Sequence, residues 1–268
     1  MKKIFQFAIV AAALAMTACV GKVEKTITET VTDSIPWYED LEALDADLKA
    51  AIEDARDLDS SKISNTLMPI KKGTPNEEWA TFDGKDMVLL VTLVDSSRLQ
   101  KFFGQEGVYQ IDREMGTWVT IPGEWLTKKE AFEGLDSVAA HMRMLQMYGL
   151  SPDCTYNIMV QFYADVNGIF RPASDPSIDT TTAGIEFPAW ADENYKVGDT
   201  NFREWFRYNV SAAFEDDSPL PWTRLGYTYD WHKGANRQGL SEYVVVDQTY
   251  LKVKGYESEW QFIQNLTK

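Results

Sequence analysis

Residues 221–231 read PWTRLGYTYDW and place Trp222, Arg224, Tyr227, Tyr229 and Asp230 within a few positions of one another. Two further stretches carry the same mixture of charge and aromatic character. FRPASDPSI (170–178) contributes Arg171 and Asp175, each beside a proline, and GLSEY (239–243) contributes Glu242. Aromatic faces with directed polar groups can stack a sugar ring or a base while arginine and carboxylate fix its orientation. In an extended segment Tyr227 and Tyr229 share one face, with Thr228 and Asp230 on the other. The same residues would also serve acid/base chemistry, with Asp175, Asp230 or Glu242 moving the proton and Arg171 or Arg224 holding an anionic group. The competing expectation is structural: Arg171 or Arg224 pairs with Asp175 or Asp230 under an aromatic lid and fixes the loops.

Other chemistries have less support. The chain has two histidines, and His141 has no His, Cys or acid at metal-ligand spacing, so no metal and no cofactor are expected. G-x-S-x-G, phosphate-binding glycine loops and H-E-x-x-H are missing from the sequence. GLSEY lacks the last glycine of the first pattern, and a Ser241–His232 pair is better read as chance placement. Cys154 lies beside an apolar run and reads as an inert thiol.

The elements that must position these residues are legible from periodicity. Trp37, Leu41, Leu44, Leu48, Ile52 and Ala55 recur at helical spacing with acids on the outer face, and Ser34 and Pro36 suit the helix start. MVLLVTLV (87–94) reads as a strand buried on both faces. GTWVTIPGEW (116–125) is a second strand, ended or bulged at Pro122 and Gly123. A helix is expected over 127–148, with a Thr127/Glu130 capping box, an apolar face of Phe132, Leu135, Val138, Met142 and Leu145, and a stop at Gly149. YNIMVQFYA (156–164) and three short segments after 225 are β-leaning. Helices and strands mix without βαβ alternation, which predicts a single α+β domain over 65–268 with a mixed or antiparallel sheet and one to three packed helices.

Before that domain, MKKIFQFAIVAAALAMTACVGK has a basic start, an apolar stretch too short to span a bilayer comfortably, and Cys19 after small residues. It resembles a bacterial lipoprotein signal with MTAC as the lipobox. By that resemblance residues 1–18 are removed and Cys19 is acylated, anchoring the protein to a membrane through lipid. Residues 19–33 read as a tether and 34–60 as an acidic amphipathic helix. The formal charge of −15 falls to −17 without Lys2 and Lys3. Such an acidic chain does not suit nucleic acid, which needs a basic stripe.

The order NTLMPIKKGTPNEEW, MVLLVTL, GTWVTIP, MLQMYGLSPD, FRPASDPSI, PWTRLGYTYDW and GLSEYVV is similar to a family of uncharacterised bacterial proteins. Its members carry F-R-P-x-x-D-P-x-I and W-T-x-L-G-Y-T-Y-D-W; the likeness spans roughly residues 65–246. His232 stands where most members have Gly, and Tyr243 where they have Phe. No activity is established for that family, so the resemblance implies no catalytic residues. It implies that 34–60 is an accessory segment on a shared fold. The sequence therefore favours a lipid-anchored envelope protein, at the outer membrane, that binds a small molecule, glycan or protein through Arg171, Asp175, Trp222, Arg224, Tyr227, Tyr229, Asp230 and Glu242. A carboxylate-dependent hydrolase or transferase is the alternative, and a structural envelope component the third.

Overall fold

The computed structural model describes residues 35–215 and 219–268. The signal segment, Cys19, the 19–33 tether and Ser34 lie outside the described residues. Ile35–Lys268 form one compact α+β unit.

The helix expected from the first apolar periodicity is α1 (Leu41–Arg56), which starts later than the sequence suggests. Asp40 rather than Ser34 caps it, its side chain accepting from the Ala43 N–H at 3.1 Å. Leu44, Leu48, Ala51, Ile52 and Ala55 are buried against Met142, Phe214 and Trp231, so the helix is part of the body's packing. Short β1 (Trp79–Phe82) leads into β2 (Lys85–Val94), whose residues from Met87 on are all buried, as its continuous apolar run predicts. Next come α2 (Ser96–Phe103), β3 (Tyr109–Gln110), β4 (Thr117–Thr120) and the single turn α3 (Pro122–Trp125). Strand character thus ends before Pro122. Gly123 is packed so closely that a Cβ would lie 2.0 Å from the Asn76 carbonyl oxygen.

The long helix expected over 127–148 is a correction. Residues 126–132 form a tight 3₁₀ segment, Gly134 turns the chain at φ +75°, and α4 (Ser137–Tyr148) begins afresh. Asp136 is the true cap, accepting from the Val138 and Ala139 N–H groups at 3.0 and 2.9 Å. The expected stop is present: Gly149 is left-handed at φ 71°, and the Leu150 N–H returns to the Leu145 carbonyl at 2.9 Å. The remaining elements are β5 (Ile158–Asp165), β6 (Ile169–Phe170), the small hairpin β7 (Lys196–Val197) and β8 (Thr200–Asn201), α5 (Phe202–Glu215), β9 (Tyr227–Asp230), β10 (Arg237–Val245), β11 (Tyr250–Ser258) and α6 (Glu259–Leu266).

Nine strands form one antiparallel sheet in the order β3-β11-β5-β2-β4-β10-β6, with β1 added to β2 and β9 to β10. One face packs Val88, Leu90, Phe162, Tyr243 and Val245 under α2. The other carries Val91, Leu93 and Leu240 beneath α4 and α6, and Phe170 and Val244 beneath α5. The ladder is uneven at its centre. β2 and β5 share eight registered pairs, whereas β2 and β4 share only Val91 with Thr120. Past Val91 the two strands part, and Thr92 Oγ1 reaches across to the Trp118 carbonyl at 2.9 Å. No helix among the described residues is long and apolar enough to cross a membrane.

Candidate functional site

A pocket of about 330 Å³ opens where β2 and β4 part. Thr92, Leu93 and Val94 form one side of its floor, and Trp118 and Thr120 the other. Tyr148 at the end of α4, Asn209 and Ala212 of α5, Pro221 and Trp222, and the β9 backbone around Thr228 close it over. Arg98, Arg113 and Tyr156 line its other end.

Glu242 is the only carboxylate that lines the pocket among the described residues, and the sheet register explains its position. It is paired with Thr120 across β4, and the next residue on its face, Val244, is opposite Trp118. Glu242 is 5 % exposed and its Oε1 has no hydrogen-bond partner among the described residues. The indole N–H of Trp222 is equally buried and unpartnered. It lies near enough to favour the charged carboxylate but short of hydrogen-bond geometry. Burial is the larger effect and pushes the Glu242 carboxyl up to about 8, so it is protonated at neutral pH. An unsatisfied buried carboxyl beside an unsatisfied donor costs stability, and such costs concentrate at functional sites. Trp118 and Trp222 meet edge to face with centroids 5.6 Å apart. Tyr148 is held 3.4 Å from the Thr120 hydroxyl, and burial raises its phenol well above the ordinary range.

At the far end the Arg98 side chain is paired with Asp95, the N-cap of α2, and stacks on Tyr156 at 4.6 Å. The guanidinium of Arg113 lies over Phe102 at 5.1 Å and has no carboxylate partner among the described residues. The two arginines, with one acid between them, leave this end of the pocket positive.

The eight residues singled out from the sequence divide into two groups. Trp222, Tyr227, Tyr229 and Glu242 line the pocket. Tyr227 and Tyr229 do share a face, but their hydroxyls are spent on the Lys62 carbonyl at 2.8 Å and on Asp54 Oδ2 at 2.9 Å. Arg171, Asp175, Arg224 and Asp230 do not line it. Arg171 is fully buried and ties down the 178–182 loop, donating to the Thr180 carbonyl at 2.7 Å, the Thr182 carbonyl at 3.1 Å and the Tyr243 hydroxyl at 3.0 Å. Gly226, at φ +79°, makes room for it, because a Cβ there would lie 2.4 Å from Arg171 Cδ. Asp175 closes an Asx turn onto Ser177. Arg224, itself at φ +59°, caps the end of α1 by donating to the Ala55 and Arg56 carbonyls. Asp230 is held by both guanidinium nitrogens of Arg143, at 2.9 and 2.6 Å, with both side chains buried. The pairing expected from the sequence, Arg171 or Arg224 with Asp175 or Asp230, does not form: both arginines bind carbonyl or hydroxyl oxygens, and Asp230's partner is Arg143 of α4.

Sequence reasoning missed Trp118, Tyr148, Arg98 and Arg113 as pocket residues. It also missed Glu124, buried on the opposite face of β10. Glu124 accepts from the Ser241 N–H at 2.8 Å and the Ser241 hydroxyl at 2.9 Å. Burial raises it to about 7 against those hydrogen bonds. The PGEW turn after a strand was the visible signal for it. His141 pairs with Glu259 at 2.6 Å and His232 with Gln146 at 2.9 Å. Cys154 is a half-buried free thiol raised by burial. No three potential metal ligands cluster among the described residues.

No family model matches the chain, and neither curated proteins nor solved structures yield a match.

Proposed function

We propose that the chain is an envelope protein, attached to a membrane through lipid on Cys19, whose α+β body binds a small molecule in the pocket between β2, β4 and β10. One observation carries the reading: an aromatic-walled pocket of about 330 Å³ holds a buried carboxyl and a buried indole N–H that both lack partners. A cavity of this size lies at the lower end of the range that encloses small ligands, which favours a compact molecule over an extended glycan or a protein surface. Binding is preferred to acid/base catalysis because Glu242 has no second carboxylate beside it among the described residues, with Asp175 and Asp230 engaged elsewhere. The lipid anchor rests on the MTAC resemblance, and the relation to the bacterial family with F-R-P and Y-T-Y-D-W motifs belongs to the same proposal.

Thermal unfolding of the chain in detergent tests it, against peptidoglycan fragments, sugars, nucleotides, small acids and small amines. A ligand that binds only the folded state raises the midpoint as its concentration exceeds the dissociation constant. One class is expected to do so, and Ala212→Phe, which fills the pocket, is expected to abolish the shift. A shift that survives Ala212→Phe, or no shift with any class, would remove the pocket from the proposal.

A further inference from the structure

The pocket is polarised along its length. Glu242 sits at the level where Thr120 is paired with Val91, and Trp118, opposite Val244, lies two β4 residues further along. Arg98 and Tyr156 lie beyond Val94, which is paired with Ile158. Three strand residues separate these levels, about 10 Å of backbone. The inner end offers Glu242 Oε1, an acceptor with no donor in hydrogen-bond geometry, near the N–H edge of Trp222, whose ring Trp118 meets edge to face. An N–H-bearing organic cation offers a desolvated acid both charge complementarity and hydrogen-bond donors. The other end offers Arg113, whose guanidinium has no carboxylate partner among the described residues, and an anion suits it.

We propose that the occupant is an amino acid-like zwitterion, with an N–H-bearing ammonium seated against Glu242 beside Trp118 and Trp222 and an acid group meeting Arg113. The inference rests on the pocket being a ligand site and names the chemical class it takes. An ammonium supplies the donor that Oε1 lacks; a quaternary ammonium supplies none.

The proton balance follows from the burial of Glu242. In the empty pocket the carboxyl keeps its proton to about pH 8. Pairing with an ammonium requires the carboxylate, so binding expels that proton to solvent. The other described groups that line the pocket do not titrate near neutral pH. Tyr227 and Tyr229 on β9 are pushed up to about 12, Tyr148 and Tyr156 are also raised, and the arginines stay charged. α5 contributes Asn209, Ala212 and Ala213, which do not titrate. Affinity for the zwitterion should therefore rise about tenfold per pH unit up to pH 8 and level off above it.

Calorimetric titration of the full chain in detergent decides the matter. The probes are the ω-amino acids from glycine to 8-aminooctanoate, with hexylammonium, hexanoate and hexanamide as matched controls. Titrations in phosphate and in Tris, whose ionisation heats differ, read the protons released. At least one ω-amino acid is expected to bind about tenfold or more tightly than all three controls and to release close to one proton at pH 7. Glu242→Gln, an isostere of the protonated side chain, should abolish the release and weaken that ligand at least tenfold. Arg113→Gln should weaken the zwitterion and leave hexylammonium unchanged. If hexanoate or hexanamide binds as well as every ω-amino acid, or if no proton is released, the ammonium assignment is overturned while the ligand pocket stands. If no probe binds, the zwitterion assignment fails, and the broader unfolding screen alone then decides the pocket reading.

Discussion

Asp230 and Glu242 are buried acids on paired strands, and their surroundings could hardly differ more. Asp230 faces α4, where Arg143 meets it with two parallel hydrogen bonds and the pair is closed off from solvent. Glu242 faces the gap between β2 and β4, where it meets an indole that does not quite reach it and a space large enough for a ligand. The first acid is tied to a fixed partner. The second is left as a neutral acid at neutral pH, with no hydrogen-bond partner for its Oε1 among the described residues. Burial alone therefore does not mark a site; a buried group whose partner the fold omits does.

Substitutions can break or sharpen this contrast. The largest effect is expected at the satisfied pair: Arg143→Met leaves the Asp230 charge buried alone and should cost about 3–5 kcal/mol, read as the midpoint of urea unfolding. Glu242 should behave in the opposite sense. Its folded value is raised from 4.5 to about 8, so the stability linked to its proton is complete below pH 4.5, declines as pH rises, and is gone above pH 8. Glu242→Gln should match the parent at pH 5 and exceed it by roughly 2–4 kcal/mol at pH 9, measured by denaturant titration at both values. A pH-independent difference would show that Glu242 is not the neutral acid described. Ser241→Ala removes one of the two hydrogen bonds that Glu124 accepts from Ser241 and the one Met68 N–H makes, and should cost about 1–3 kcal/mol. Tyr229→Phe loses one bond to half-exposed Asp54 and should cost about 0.5–1.5 kcal/mol in the same assay.

What the sequence revealed follows from how local each signal is. The apolar run at 87–94, the face of α1 and the glycine stop at 149 are each decided by neighbours within a few residues, and all three appear in the fold. The helix start at Thr127 failed because two competing local signals lay close together, and Asp136, free after the Gly134 turn, offered the better cap. The site was half legible for the same reason. PWTRLGYTYDW and GLSEY are adjacent strand partners, so Trp222, Tyr227, Tyr229 and Glu242 come together through one hairpin. Trp118, Tyr148 and Arg113 join them from elements far away in the chain, brought there only by sheet order and the packing of α4. Arg224 shows the limit most clearly. Its residue type suits anion binding and helix capping equally, and only its positive φ and the nearby end of α1 select the second.

That choice gives the cap a mechanical consequence. Ile35 is where the described fold begins, and α1 follows it within a few residues. Tension applied to the chain at that point is carried along α1 to its last turn. There Arg224 grips two carbonyls and Lys62 grips those of Asp54 and Asp57. The same turn is also tied to β9 directly, Asp54 accepting from the Tyr229 hydroxyl at 2.9 Å, so load on α1 bears at once on a residue that lines the pocket. Arg224, Lys62 and Tyr229 together fasten the end of α1, so a pull on that helix is a pull on one wall of the pocket.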